Sequence, residues 1–199
     1  MRLLIIRHGQ SEADLLNVYE GRADFELTEL GHKQAKQMSE FVKNHYNISK
    51  IYSSPLKRAV QTANHLSEKT GAKIFLDDRL MEFDNGLIAG LKKEIADIKY
   101  PAVLNLSVNE SIYGQESLMD FRLRADCFLT EFVKETDKKE TVAIITHGGM
   151  INQLYRSFLQ LPVDSNISFR TDDTGIHDWY IDEKNKKIIM ANFLEHLKK

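Results

Sequence analysis

Residues 3–6 form an uninterrupted apolar run, Leu3-Leu4-Ile5-Ile6, and residues 141–146 read Thr-Val-Ala-Ile-Ile-Thr. Continuous apolar runs of this length are the pattern of strands buried on both faces. Between them the hydrophobic period lengthens to that of helices. Ala35, Met38, Phe41 and Val42 recur at helical spacing over 29–46, behind Thr28 as N-cap. A second helix is predicted from Ser54-Pro55, serine as cap and proline at the first helical position. It carries Leu56, Ala59, Val60, Ala63 and Leu66 on one side and stops at Gly71. A third covers 117–135, with Leu118, Phe121, Ala125, Phe128, Leu129 and Phe132 facing inward, and a fourth covers 149–159. Shorter strands are expected at 48–53, 74–76, 176–181 and 187–192, the last two joined by a turn at 183–186.

This alternation predicts an α/β three-layer sandwich: a mainly parallel central sheet, helices on both faces, and an antiparallel edge from the C-terminal hairpin. Residues 84–115, with Gly86, Gly90, Pro101 and Gly114, keep neither period and are expected to form a small helical excursion facing the ligand. No Pro/Gly/Ser-rich linker interrupts the chain, so residues 1–199 are read as one domain.

Composition narrows the function classes. A net charge of −2 excludes a broad electrostatic footprint for nucleic acid or anionic membrane, so any basic site is a local pocket. The lone Cys127 forms no intramolecular disulfide, and no CxxC pair points to zinc. The apolar run at the start is too short for a signal peptide or membrane span, and the expected location is the cytoplasm. Oligomeric state is not legible from this pattern.

The chemistry begins with an echo: both long apolar runs end in His-Gly, as Arg7-His8-Gly9 and Thr146-His147-Gly148. In open α/β sheets ligands bind beyond the carboxyl ends of the strands. Two neighbouring strands with this ending would place both imidazoles at one crevice. The glycines allow close backbone approach, and Gly148-Gly149 opens a helix whose amides could face an anion. Arg7 adjoins His8, and Arg58 lies early in the Ser54-Pro55 helix. Two guanidiniums and two imidazoles make a site for a phosphoryl group, which arginine grips in bidentate fashion. With no HxH or HExxH spacing and arginines beside the histidines, no metal and no cofactor is expected. The remaining histidines look structural: His177 as a half-buried strand residue, and His32, His45, His65 and His196 on helices without partners.

Arg7-His8-Gly9-Gln10-Ser11-Glu12 resembles the opening signature of the histidine phosphatase superfamily, the phosphoglycerate mutase-like family, branch 1. Similar blocks follow in order: Gly21, Leu27-Thr28-Glu29-Leu30-Gly31, Ser53-Ser54-Pro55-Leu56-Lys57-Arg58, Leu80-Met81-Glu82, Gly114-Gln115-Glu116-Ser117 with Arg122 or Arg124, and Thr146-His147-Gly148-Gly149. The resemblance implies a phosphomonoesterase acting on a small phosphate ester, its phosphoryl group carried on His8. Arg7, Arg58, His147 and Gly148 would hold phosphate and Glu82 would serve as the acid. Gln10, Ser11, Asp14, Gly21 and Arg22 would line the substrate. Two positions depart from the family pattern. Asp14 replaces an asparagine, so its carboxylate must be protonated, turned away or engaged elsewhere. Ile88-Ala89 replaces an aromatic-acidic pair. Phosphoglycerate mutase-type transfer, and a phospho-ligand binding module without catalysis, are the alternatives.

Overall fold

The two runs that end in His-Gly lie next to each other. In the computed structural model, which describes residues 1–198, one sheet contains β1 (Arg2–Arg7), β2 (Lys50–Ser53), β3 (Lys73–Leu76), β4 (Thr141–Thr146), β5 (Ile176–Ile181) and β6 (Lys186–Phe193). Its spatial order is β3-β2-β4-β1-β5-β6. The pairs β3/β2, β2/β4 and β4/β1 are parallel, while β5 runs antiparallel to β1 and β6 to β5. The antiparallel edge expected from the tail is present.

Alternate side chains of the central strands feed two cores. Leu3, Ile5, Val142 and Ile144 pack with α5 (Leu118–Glu135), α6 (Gly148–Phe158) and Trp179. Leu4, Ile6, Ala143 and Ile145 pack with α2 (Glu29–His45) and α3 (Lys57–Thr70). Both faces being covered explains why the strands read as unbroken apolar runs. Thr28 caps α2 by accepting from the Gly31 N–H at 3.0 Å, and Ser117 caps α5 by accepting from Asp120 N–H at 3.0 Å. Gly71 ends α3 in the left-handed region, φ +74°.

Two expectations change, and two short elements are added. The helix α3 starts at Lys57, not Pro55, because Ser54 N–H still donates to Ile145 O (3.0 Å) and keeps the chain on the sheet. Leu118 stands at the rim of α5 and is 45% exposed rather than facing inward. Residues 84–115 hold only a 3-10 turn at Gly86–Ile88 and the short α4 (Lys93–Lys99). A short α1 (Glu12–Leu16) follows Ser11, too brief for a periodic signal. Among the described residues no helix is long and apolar enough to cross a membrane.

Candidate active site

In the β1/β4 register Arg7 stands opposite Thr146, so the next residue of each strand, His8 and His147, emerges at the same level. Their rings lie 5.0 Å apart, both buried. His8 Nδ1 is 2.7 Å from Gly9 O. A carbonyl only accepts, so Nδ1 carries the hydrogen and Nε2 keeps its lone pair. Gly9 itself is required, since a Cβ there would come within 2.6 Å of Gly31 O. His147 Nε2 lies 2.8 Å from Ser54 Oγ, and that hydroxyl already accepts from Leu56 N–H at 3.3 Å. The Ser54 hydroxyl can therefore donate to Nε2, in the tautomer that makes Nδ1 of His147 the N–H donor. Burial, reinforced by Arg58 and Arg7, holds both imidazoles well below the usual histidine range. His147 thus enters the site neutral, as an N–H donor rather than an imidazolium.

Arg58 is fully buried at the start of α3. Its Nη1 and Nη2 donate to Ala23 O (3.0 Å) and Gly21 O (2.7 Å), which aims Nε at His8 Nε2, 3.3 Å away. Gly21 thereby serves through its carbonyl, at φ +49°, and a Cβ there would strike the Asn85 side chain at 2.6 Å. Arg7 is held by Thr171 O (2.9 Å) and Asp173 Oδ1 (3.3 Å). Gly148 adjoins it: a Cβ added there would sit 3.9 Å from Arg7 Nε. Arg7 Nε and His147 Nδ1 are buried polar atoms without a protein partner among the described residues. Such groups are costly unless a ligand or water satisfies them.

The Glu82 carboxylate accepts from Phe83 N–H and Gly149 N–H, both at 2.8 Å. The amide of Gly149 expected to face an anion is therefore occupied by Glu82. A Cβ on Gly149 would approach Glu82 Oε1 to 2.3 Å, so a side chain there would push the carboxylate out of this position. Behind Glu82, Arg124 clamps the backbone, donating to Arg79 O (2.7 Å) and Glu82 O (2.8 Å) while paired with Glu116 (2.8 Å). Arg22 joins the same cluster through Glu82 O (3.3 Å), Asp84 (3.2 Å) and Glu116 (3.5 Å). Arg122 turns away, to Asp126 and Leu161 O.

Other anticipated residues are engaged within the loop that follows β1 and its neighbours. Gln10 staples its loop to α2, its N–H donating to Gln34 Oε1 (2.9 Å) and its Oε1 accepting from Thr28 Oγ1 (2.9 Å). The Asp14 carboxylate accepts from Ser11 N–H (2.9 Å), capping α1, which answers how a carboxylate is tolerated there. Ser11 Oγ contacts Glu20. His177 is fully buried rather than half-buried: its Nδ1 accepts from Asn192 N–H (3.2 Å), so Nε2 donates to Thr171 Oγ1 (3.0 Å), on the residue that holds Arg7. His32 and His65 do have partners, each other, with ring nitrogens 3.0 Å apart. Sequence reasoning missed Glu20, Ser54 and Asp173. Of these Ser54 alone carried a signal, and it pointed to a helix cap.

The sequence model of branch 1 of the histidine phosphatase superfamily matches residues 3–193. Phosphoserine phosphatase 1 of Hydrogenobacter thermophilus is 31% identical over 202 residues, covering 99% of this chain and 94% of its own. Glucosyl-3-phosphoglycerate phosphatase of Mycobacterium tuberculosis is 32% identical over 173 residues, 81% of this chain and 77% of its own. A mycobacterial glucosyl-3-phosphoglycerate phosphatase solved with VO3 superposes with a TM-score of 0.82, at 26% identity, over 96% of this chain and 98% of that one.

Proposed function

Because the chain belongs to branch 1 of the histidine phosphatase superfamily, whose members hydrolyse phosphoric monoesters, we propose that it hydrolyses a small phosphorylated metabolite through a phosphohistidine on His8. One observation carries this reading. Beside His8, whose Nε2 lone pair accepts from Arg58 Nε–H (3.3 Å), the buried Arg7 Nε and His147 Nδ1 have no protein partner among the described residues. A phosphoryl group there would satisfy the buried donors and present phosphorus to the nucleophile.

In the first step His8 Nε2 bonds to phosphorus as the ester P–O bond breaks, and Glu82 gives a proton to the leaving alkoxide. In the second, the Glu82 carboxylate takes a proton from water as that water attacks phosphorus. The P–N bond breaks, and the products are inorganic phosphate and neutral His8. Phe83 and Gly149 amides orient Glu82 through both steps. Residues 84–115 would border the leaving group, since Asp84, which opens that segment, follows Glu82 by two residues.

The test is a panel of phosphomonoesters, including phosphoserine, glucosyl-3-phosphoglycerate and 3-phosphoglycerate. The reading predicts free phosphate from at least one member, abolished by His8→Ala. Interconversion of 3- and 2-phosphoglycerate without net phosphate release would assign a mutase instead. Saturable binding without turnover of any member would assign a binding module.

A further inference from the structure

The mechanism leaves one half-buried acid beside the nucleophile unused. Glu20 lies in the loop between α1 and α2, and among the described residues it is the carboxylate that contacts both Arg58 and His8. Its Oε1 is 3.2 Å from Arg58 Nε and accepts from Ser11 Oγ, while Oε2 is 3.9 Å from His8 Nε2. Reacting atoms come within about 3–3.5 Å in a near-attack arrangement. Phosphorus placed so against His8 Nε2 would carry an oxygen into the space that Glu20 now fills. The carboxylate is thus an anion supplied by the chain itself, resting on the arginine that is to grip phosphate.

The charges around Glu20 come from several elements. Arg7 and His8 stand at the end of β1, Arg58 on α3 and Asp14 on α1; His147 lies behind His8, with Glu82 and Asp173 beyond the arginines. Burial raises the Glu20 carboxyl above its ordinary range against the pull of Arg58, and Asp14 adds to the rise. A phosphoryl dianion arriving beside it would push in the same direction.

We propose that Glu20 occupies the phosphoryl subsite as its resting ligand and takes up a proton when phosphate binds, changing from a competitor for Arg58 into an O–H donor to a phosphoryl oxygen. This rests on the subsite assigned above to Arg7, Arg58, His8 and His147. Substrate affinity then carries a proton dependence that comes from the protein rather than from the ester. A carboxylate this close to the nucleophile also keeps the empty site from taking up weaker anions at neutral pH.

Sulfate is the suitable probe, because it is tetrahedral and stays a dianion from pH 5 to pH 9. Its affinity for wild type, Glu20→Gln and Asp14→Asn is measured calorimetrically across that range, in buffers of different ionisation enthalpy to count protons. Wild type and Asp14→Asn are expected to weaken with rising pH, by up to about tenfold per unit above the Glu20 pKa. Glu20→Gln should bind at least tenfold tighter than wild type at pH 8 and take up about one proton fewer at the pH where the wild-type slope is steepest. Because Glu20 also faces His8 Nε2 at 3.9 Å, the same pair is compared in a His8→Asn background, where that ring contributes no proton.

Equal slopes in wild type and Glu20→Gln would overturn the proposal. So would a Glu20→Gln protein that binds more weakly at every pH, or one that is tighter by the same factor throughout, which is displacement without a proton. Sulfate binding that survives Arg58→Ala unchanged, or that is absent from wild type and Glu20→Gln even at pH 5, would instead remove the subsite itself.

Discussion

At the carboxyl ends of β1 and β4, His8 and His147 are buried between two packed cores, and each ring has one nitrogen fixed by a neighbouring oxygen. Residues 84–115, a short distance along the chain from Glu82, are built differently. Ile98 is 85% exposed and Leu104 82%, and regular structure is limited to one 3-10 turn and seven residues of α4. A cavity of about 290 Å³ lies between this segment and Tyr19, lined also by Ile88, Tyr100 and Tyr113, and none of its lining residues is a group of the His8 site. On the proposed function, the difference separates two jobs. Groups that meet phosphorus need fixed geometry, which buried strand ends supply. Groups that meet a variable alcohol suit a segment with few core contacts and low local stability.

The comparison is broken most severely from the strand-end side. His8→Ala should lower kcat by about 10⁴-fold or more for every ester, because the nucleophile is lost; steady-state phosphate release measures it. A residual rate within tenfold of wild type would place the chemistry elsewhere.

Glu82→Gln, at the border of the two regions, should cost about 10²–10⁴ in kcat for alkyl esters. The loss should be much smaller for p-nitrophenyl phosphate, whose leaving group needs no proton. Equal losses on both would remove the acid role.

In the excursion the pattern should invert. Tyr113→Ala should leave kcat for p-nitrophenyl phosphate within about threefold while changing KM ratios among metabolite esters by about tenfold, the worth of roughly 1.4 kcal/mol of contact. Unchanged ratios would detach this segment from recognition.

The last effect is on stability rather than rate. Burial lowers the pKa values of His8 and His147, and that of His177 to about 4, while the unfolded chain titrates near 6.5. Between those values the unfolded state binds more protons, so stability falls as pH drops below 6.5, by about 1.4 kcal/mol per unit for each histidine held neutral. Residues 84–115 contain no histidine. Denaturant melts between pH 7 and pH 5 should show the slope, and His177→Gln should reduce it by roughly one histidine's share. A slope unchanged in that variant would assign the acid lability to other groups.

How much was legible in advance follows the same division. The strands β1 and β4, the helices α2 and α5, and the convergence of His8, His147, Arg7 and Arg58 could be read because burial on both faces writes an unbroken apolar run and strand ends gather at one edge. The assignments that depended on long-range partners could not. Ser54 looks like a helix cap but also holds the His147 ring, from 93 residues away. Arg22 looks like a solvated loop residue but supports the Glu82 backbone. Glu20 sits in an aperiodic loop, and nothing near it in sequence announces Arg58. Residues 84–115 pack against little, so their apolar positions record no period.

The central claim is a covalent bond from His8 to phosphorus. Mixing enzyme with a ³²P-labelled turnover substrate, quenching within milliseconds and mapping the label by digestion tests it directly. The account predicts an acid-labile, alkali-stable label on the peptide containing His8, formed and lost at rates compatible with kcat and absent from His8→Ala. Turnover with no protein-bound label at any quench time under conditions where phosphohistidine survives, or label on another peptide, would contradict it.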